Sequence, residues 1–208
     1  MTDRENLLMR MRELTLGWGF VGLIYQLSRS LQGTGTLIQE TALDRYIPYD
    51  PNAIWWYIAF FAYIPWAYLS VELSRLPWLR QSMQVCAAIC GLIYLLWPTT
   101  VPSPVLPPAL SNETAGMTLL RWLQQMDTPQ NCLPSLHAAL TVLCGWALLG
   151  KQTAWRYAQS LLAVLIGLAI CLSIIQLRRH LMADLVTGAG VGWLSGWLCQ
   201  RWCEKKKA

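Results

Sequence analysis

The sequence predicts an all-α membrane protein, a polytopic bundle of six transmembrane helices that forms a single domain over residues 1–208. The chain is 55% hydrophobic and only 13% charged, whereas an ordinary soluble domain is about 25% charged. A helix needs roughly 20 mainly apolar residues to cross the hydrocarbon core of a bilayer. Six segments approach this length, at 14–31, 53–71, 82–98, 133–150, 157–176 and 180–199.

The distribution of basic residues predicts that both termini are cytoplasmic. With six spans in this orientation, eleven Lys and Arg residues lie on the inner side and five on the outer side, as the positive-inside rule requires. The outer five are Arg29, Arg45, Arg121, Arg178 and Arg179. The basic residues lie at the ends of apolar segments and form no face interleaved with aromatic residues. The net charge of +5 therefore does not indicate binding to nucleic acid.

The remaining segments are short connections. Residues 1–13 suit either a short amphipathic helix on the inner surface or a solvated tail. The first apolar segment lacks a small-residue cleavage site, so we expect a retained helix and not a signal peptide. Residues 98–114 contain five prolines, which exclude a continuous helix and predict an outer loop. A short interfacial helix is predicted after this loop, around 119–125.

The seven cysteines do not suggest a disulfide framework, because most lie within predicted spans. Cys86 and Cys90 are explained as one face of a helix, since no histidine lies nearby to complete a set of metal ligands. The sequence therefore predicts no metal site and no cofactor.

The chain has only two histidines, and each lies in a setting that suits phosphate chemistry. The first ends the string Pro134-Ser135-Leu136-His137. Pro134 suits the first turn of a helix, where its missing N–H costs nothing. Ser135, Leu136 and His137 would follow in that turn, where free backbone N–H groups and the helix dipole favour an anion such as phosphate. The Ser135 hydroxyl adds a donor; simple helix initiation is the structural alternative.

The second histidine, His180, follows Arg178 and Arg179 and precedes Asp184 by four residues. On a helix, His180 and Asp184 would meet on one face. A carboxylate that accepts the proton of one imidazole nitrogen leaves the other nitrogen's lone pair free to attack phosphorus. Guanidinium groups bind phosphate oxygens in a bidentate way, so Arg178 and Arg179 are candidate phosphate ligands. The alternatives are a structural ion pair for Asp184 and snorkelling of one arginine towards lipid headgroups.

The predicted topology places both histidines on the same side of the membrane. His137 opens the fourth span and His180 precedes the sixth, so both lie at the outer face and can converge. Beyond Asp184, Gly188 and Gly192 continue the same stripe, a pattern that favours close packing between helices. Arg29, near the end of the first span, is interpreted as a snorkelling or ion-pairing residue.

These motifs resemble those of a known family. Pro134-Ser135-Leu136-His137 and the stretch 173–188, with Arg178, Arg179, His180 and Asp184, are similar to the second and third signature motifs of the type-2 phosphatidic acid phosphatase family. The resemblance is strong over the last third of the chain and looser over the six-span plan. The segment 44–51 resembles bacterial members and inositol-phosphorylceramide-synthase-like relatives.

The resemblance implies a mechanism that uses no metal. His180 would be the nucleophile and become phosphorylated, and Asp184 would orient it. His137 would protonate the leaving oxygen, while Ser135 and Arg178 would bind the phosphate. A free imidazole has a pKa of about 6.5, so a mildly acidic to neutral optimum is expected.

The sequence departs from the family pattern in two places. Leu136 stands where a glycine is usual, and no outer-side Lys-x6-Arg-Pro first motif is present. The string at 75–77 does not replace that motif, because it falls on the predicted inner side. Without the first motif, the groups that neutralise the phosphate are not identified. The phosphotransferase branch of the family also lacks this motif.

Three functions follow as hypotheses. The first is a lipid phosphatase that hydrolyses a lipid phosphate or diphosphate at the outer face through a phosphohistidine on His180. The second is a lipid phosphotransferase that passes a phosphoryl or headgroup unit to a hydroxyl acceptor. The third is a non-enzymatic membrane scaffold or channel, in which the histidines line a polar cavity. The expected partners are a lipid phosphate and membrane lipids; the sequence does not indicate an oligomeric state.

A bacterial inner membrane, with the active site facing the periplasm, is the preferred location. The string Asn112-Glu113-Thr114 forms a glycosylation sequon, and Lys205-Lys206-Lys207-Ala208 resembles a dilysine retrieval signal. The endoplasmic reticulum membrane is therefore the alternative.

Overall fold

The computed structural model describes residues 2–102, 104, 106, 113–126, 130–149 and 153–205. Pro107, Pro108, Asn112 of the sequon and 206–208 of the dilysine string lie outside these ranges. The described residues form eight α-helices and one pair of short strands. The helices are α1 Asp3–Leu31, α2 Ala42–Tyr46, α3 Ile54–Ser70, α4 Leu76–Leu96, α5 Ala115–Met126, α6 Leu136–Leu148, α7 Ala154–Gln176 and α8 Met182–Lys205.

A helix occupies each of the six apolar segments, as α1, α3, α4, α6, α7 and α8. Within the described ranges, two helical stretches are long and apolar enough to cross a membrane: Leu73–Leu96, with 24 residues, and Ala154–Gln176, with 23. Leu136–Leu148 is apolar but shorter. The fold is thus mostly helical, with two candidate membrane-spanning helices.

Two helices begin earlier than the sequence indicates. Helix α1 begins at Asp3, because Thr2 and Glu5 form a reciprocal capping box. It then runs through residues 3–13 into the first apolar segment without a break. The fourth helix begins at Leu76 and not at 82, with Pro77 in its first turn, where a missing N–H is tolerated. Arg80 is accommodated because it pairs with Glu13 of α1 at 2.7 Å.

A short parallel ladder modifies the all-α prediction. Strand β1, Thr36–Leu37, pairs with β2, Thr99–Thr100, and Thr100 also bridges to Gln130. The ladder joins the connection after α1 to the connection after α4. It therefore fixes the loops that lead towards the Pro-Ser-Leu-His motif.

Arginines cap two helices at the end of the bundle opposite that motif. Arg10 donates to the carbonyls of Tyr68 and Val71, both at 2.7 Å, at the C-terminal end of α3. Arg75 donates to the carbonyls of Trp146 and Ala147 at the C-terminal end of α6. Cations at helix C-termini complement the helix dipole. These two capping arginines lie at the end of α6 opposite His137.

Helix α8 packs on α6 through the glycines expected from the sequence. A methyl group at 188 would overlap the carbonyl oxygen of Ser135 and lie 2.9 Å from its carbonyl carbon. A methyl group at 192 would lie 2.9 Å from the Cα of Ala139. Glycine at these positions lets the two backbones touch.

Gly188→Ala should separate α8 from α6, and overpacking of this kind costs about 1–3 kcal/mol. Gly190→Ala is the matched control, because nothing lies within 4 Å of a methyl group there. We expect the 188 variant to melt at a lower temperature in detergent than the 190 variant. Equal melting temperatures would contradict the close contact.

Candidate active site

His137 lies at the N-terminal end of α6, which begins at Leu136. The helix therefore starts two residues later than Pro134, and Ser135 is its N-cap, with the Oγ atom accepting from the N–H of Ala138 at 3.3 Å. This corrects the placement of Ser135 inside the first turn, because a hydroxyl that can satisfy a free N–H favours the cap. Leu136 and His137 occupy the first two helical positions, whose N–H groups have no partner within the helix.

Three hydrogen bonds hold the start of α6. The hydroxyl of Tyr94 donates to the carbonyl of Pro134 at 2.6 Å, and the N–H of Leu133 donates to Thr99 Oγ1 at 2.9 Å. The N–H of Ser135 donates to the backbone carbonyl of Asp184 at 2.9 Å. This last bond joins the two predicted motifs directly.

His180 lies in the turn between α7 and α8, because α7 ends at Gln176 and α8 begins at Met182. The prediction that a helix already includes 180 is wrong by two residues. Arg178 adopts a left-handed conformation with φ 53°. The N–H groups of Arg179 and His180 then turn back to the carbonyl of Ile174, at 3.0 and 3.2 Å. A left-handed residue that ends a helix in this way satisfies its last carbonyls.

The side chains of His180 and Asp184 nevertheless meet. His180 Nδ1 lies 3.4 Å from Asp184 Oδ2, and the N–H of Leu181 donates to the same oxygen at 2.9 Å. The carboxyl group is fully buried, and His180 is 6% exposed. Within the described chain, His180 Nδ1 and Asp184 Oδ1 have no hydrogen-bond partner. The pair is thus in contact, but its geometry falls short of a hydrogen bond.

The two histidines converge as the topology predicts. Their ring centroids lie 5.8 Å apart. The ring of His137 also packs against Phe60 and Tyr57 of α3, at 4.5 and 5.1 Å between centroids. Arg179 is buried and lies close enough for its charge to act on His137. Two imidazoles, a carboxylate and a guanidinium are therefore grouped at one end of the bundle.

Arg178 contacts a different segment. Its guanidinium donates to the carbonyls of Asp44 and Ile47, at 2.8 and 2.7 Å, and its Nε atom lies 3.3 Å from Glu40. These contacts tie the connection around α2 to the turn that carries His180. The role of Arg178 in phosphate binding stays a prediction beside this positioning role.

Asp44 reinforces the same junction. Its carboxylate accepts from the N–H of Met182 at 2.6 Å and from Thr41, and thereby caps the start of α8. Burial opposes ionisation of this group. The hydrogen bonds from Thr41 and Met182 and the nearby charge of Arg178 outweigh burial and lower the pKa of Asp44 below its ordinary value.

An apolar cavity of about 480 Å³ opens beside His137. Helices α1, α3, α5 and α6 line it, mostly with aromatic and aliphatic side chains such as Trp18, Phe61 and Leu140. The polar groups on its wall include His137, Gln26 and Arg29. Arg29, interpreted from the sequence as a snorkelling residue, thus lines the same cavity as a candidate catalytic group.

Several residues of this site are not among those that the sequence predicts. Tyr57 and Phe60 pack against His137, but in the sequence they are ordinary parts of an apolar segment. Arg29 is predicted to have a different role, and it lines the cavity beside His137. Asp44 carries a detectable local signal, because Thr41 and Asp44 have the spacing of a capping box. Nothing local links Asp44 to Met182, which is 138 residues away.

The fold is mostly helical with two candidate membrane-spanning helices, and the site groups two imidazoles, a carboxylate and a guanidinium. Comparison with protein families gives the particular group: the profile described as the PAP2 superfamily matches residues 51–198. The chain belongs to this superfamily, as its two motifs predict, and the matched region contains both of them. Members are generally phosphatases, which assigns a phosphatase-type activity. Comparisons with curated proteins and with solved structures gave no significant match.

Proposed function

We propose that the protein is an integral membrane lipid phosphatase that removes phosphate from a lipid phosphate or diphosphate through a phosphohistidine on His180. The observation that carries this proposal is the apolar cavity whose wall includes His137. A water-insoluble chain in this cavity would lie beside His137, whose ring centroid is 5.8 Å from that of His180.

In the first step, His180 Nε2 attacks phosphorus, because Nδ1 faces Asp184. The bond from phosphorus to the leaving oxygen breaks, and this oxygen, which belongs to an alkoxide for a monophosphate and to a lipid phosphate for a diphosphate, takes a proton from His137. Asp184 fixes the imidazole and stabilises the charge that develops on it. In the second step, neutral His137 takes a proton from water, which attacks the phosphohistidine. The phosphorus–nitrogen bond breaks, phosphate leaves and His180 is regenerated.

The phosphate is held by the groups that surround the two histidines. Arg179 is buried beside them, and Arg29 lies on the cavity wall. The N–H groups of Leu136 and His137 add the positive end of α6. These groups would replace the positive charge that the missing first motif would supply, and Ser135 would add a hydroxyl donor. Arg178 stays a predicted phosphate ligand beside its contacts with Asp44, Ile47 and Glu40.

Lipid tails would lie in the cavity between α1 and α3. Gly22→Trp places a large side chain on its wall, where open space surrounds the glycine. The new side chain should exclude at least two methylenes of the lipid tail from the cavity, at about 0.8 kcal/mol each. This loss of apolar contact should raise KM for a long-chain lipid phosphate more than tenfold. A short-chain phosphate should be unaffected. Gly19→Trp is the matched control, since Gly19 also faces open space but is not among the residues that line the cavity.

The test measures free phosphate released from phosphatidate, phosphatidylglycerophosphate, polyprenyl diphosphate and lipid A. The same measurement is made with water-soluble analogues that carry the same headgroups without the long chains. Long-chain substrates should be strongly preferred. A preference for soluble phosphates, or equal behaviour of the two tryptophan variants, would contradict a lipid substrate.

We also propose that the six apolar helices all span the membrane, with both termini cytoplasmic and the site at the outer face. The capping arginines at the end of the bundle opposite the histidines support this orientation. The bacterial inner membrane is the proposed location, and the endoplasmic reticulum is its alternative.

A lipid phosphotransferase is the second candidate, because the sequence lacks the first phosphatase motif. The same His180 intermediate would then pass its phosphoryl group to a lipid hydroxyl. Incubation of a labelled lipid phosphate with and without candidate alcohols distinguishes the two by whether free phosphate or a new ester appears. Membership of the PAP2 superfamily favours either enzyme over a scaffold.

A further inference from the structure

Cys132, His180 and Asp184 bring three metal-binding atoms together at the candidate active site. The Cys132 sulfur, a ring nitrogen of His180 and a carboxylate oxygen of Asp184 all lie within 4.8 Å of one another, and all three residues are buried. We propose that this cluster binds a divalent cation of the zinc type and that the bound cation inhibits the enzyme. The inhibition rests on the proposed function, whereas the binding does not.

The fold carries the thiol of Cys132 to the histidine. Asn131 is buried and left-handed, with φ 58°, so the chain turns sharply just before the cysteine. The N–H of Leu133 is held by Thr99 just after it. Cys132 packs in a small buried cluster with Val101 and Leu181. Since Leu181 directly follows His180, this packing sets the sulfur beside the imidazole.

The donor set suits zinc in both chemistry and size. Thiolate and imidazole ligands select zinc and related ions over magnesium and calcium, which prefer oxygen. In a tetrahedral zinc site, ligand atoms lie about 3.3–3.7 Å apart. The 3.4 Å between His180 Nδ1 and Asp184 Oδ2 already fits this range. The other separations must close by no more than about 1 Å to match it.

Two of the three residues hold polar atoms that lack a partner. His180 Nδ1 and Asp184 Oδ1 have no hydrogen bond among the described residues, although Asp184 is fully buried. Buried polar atoms of this kind are rare, because desolvation without a partner is unfavourable. A cation bound to Nδ1 of the imidazole and to both oxygens of the carboxylate would satisfy both. The Cys132 thiol, which the phosphoryl chemistry does not use, would supply the third ligand and release its proton to solvent.

Binding at this position would stop phosphoryl transfer. A cation on His180 either takes the lone pair that attacks phosphorus or replaces the proton shared with Asp184. In both cases the carboxylate no longer supports the imidazole. The fourth coordination position would be left for water or for the phosphate itself.

The binding test uses the full-length protein in detergent, without a metal-binding tag, and Co²⁺ as a spectroscopic probe for zinc. The parent protein should bind one Co²⁺ and show a thiolate-to-metal absorption band. Zn²⁺ should displace the Co²⁺ and remove this band. Cys132→Ser should lose the band and weaken Zn²⁺ binding by at least about tenfold, since even the loss of an outer partner costs this much. Cys144→Ser, another buried cysteine outside the cluster, is the matched control and should keep both.

The inhibition test follows phosphate release against Zn²⁺ concentration, with each variant compared with its own zinc-free rate. Zn²⁺ should inhibit the parent and Cys144→Ser reversibly, whereas Cys132→Ser should require at least about tenfold more. Mg²⁺ should not inhibit. An unchanged thiolate band in Cys132→Ser, or binding without inhibition, would overturn the proposal. If no lipid phosphate is hydrolysed, the proposed function fails, but the Co²⁺ measurement still decides the binding site.

Discussion

Replacing His180 with alanine is expected to abolish phosphate release from a lipid phosphate, lowering kcat by at least about 10⁴-fold, the scale on which loss of a nucleophile acts. No other nucleophile is proposed at the site. Asp184→Asn should have a comparable effect, because an amide does not hold the imidazole in the required tautomer. The measurement is free phosphate in detergent micelles that contain the long-chain substrate.

Thr187→Ala is the control for this prediction, because Thr187 is an exposed residue one turn beyond Asp184 on α8. It should keep the parent rate. All variants should elute and melt as folded protein. With radiolabelled lipid phosphate, an acid-labile label should appear on the parent protein and not on His180→Ala. Undiminished hydrolysis by His180→Ala, or a label that persists on it, would rule out the phosphohistidine.

Replacing His137 with alanine should produce a loss that depends on the leaving group. A general acid contributes about 10²–10⁴-fold when it protonates a poor leaving group such as a lipid alkoxide. A para-nitrophenyl phosphate needs no such proton, so the initial burst of para-nitrophenol, which reports the first step alone, should be nearly unchanged. His180→Ala is the contrast, because it should lose the first step with both substrates. An equal loss of the first step with both substrates in His137→Ala would contradict the assignment of His137 as the acid.

The dependence on pH provides a second measurement of the same role. The parent rate should fall as pH rises, because deprotonated His137 cannot protonate the leaving alkoxide. His137→Ala should lose this alkaline fall. A parent rate that does not fall between about pH 5 and 9 would contradict the role of His137 as the acid.

The positions of the main helices could be predicted from the sequence because apolar length and periodicity are local properties. A helix therefore lies on each of the six apolar segments. The start of α4 could not be predicted so well. Arg80 is charged and therefore indicates the end of an apolar segment, unless its ion-pair partner Glu13 is known. The ladder between 36–37 and 99–100 was also inaccessible, since two-residue strands carry no pattern.

The candidate site was predictable where its residues share a motif. His180 and Asp184 are four residues apart, and the topology alone brings His137 to the same end. The contacts that lie far apart in sequence could not be predicted. Three examples depend on tertiary packing: the pairing of Arg178 with the Asp44 segment, the approach of Cys132 to His180, and the cavity that Arg29 and His137 both line.

The hydrogen bond from the N–H of Ser135 to the carbonyl of Asp184 has a consequence for biogenesis. Translation delivers the N-terminal elements first, so α6 emerges from the ribosome well before α8. Until α8 has been inserted, the cap of α6 lacks this support and His137 has no partner histidine beside it. Under the proposed function, a nascent chain would therefore be inactive until α8, the last described helix, is in place.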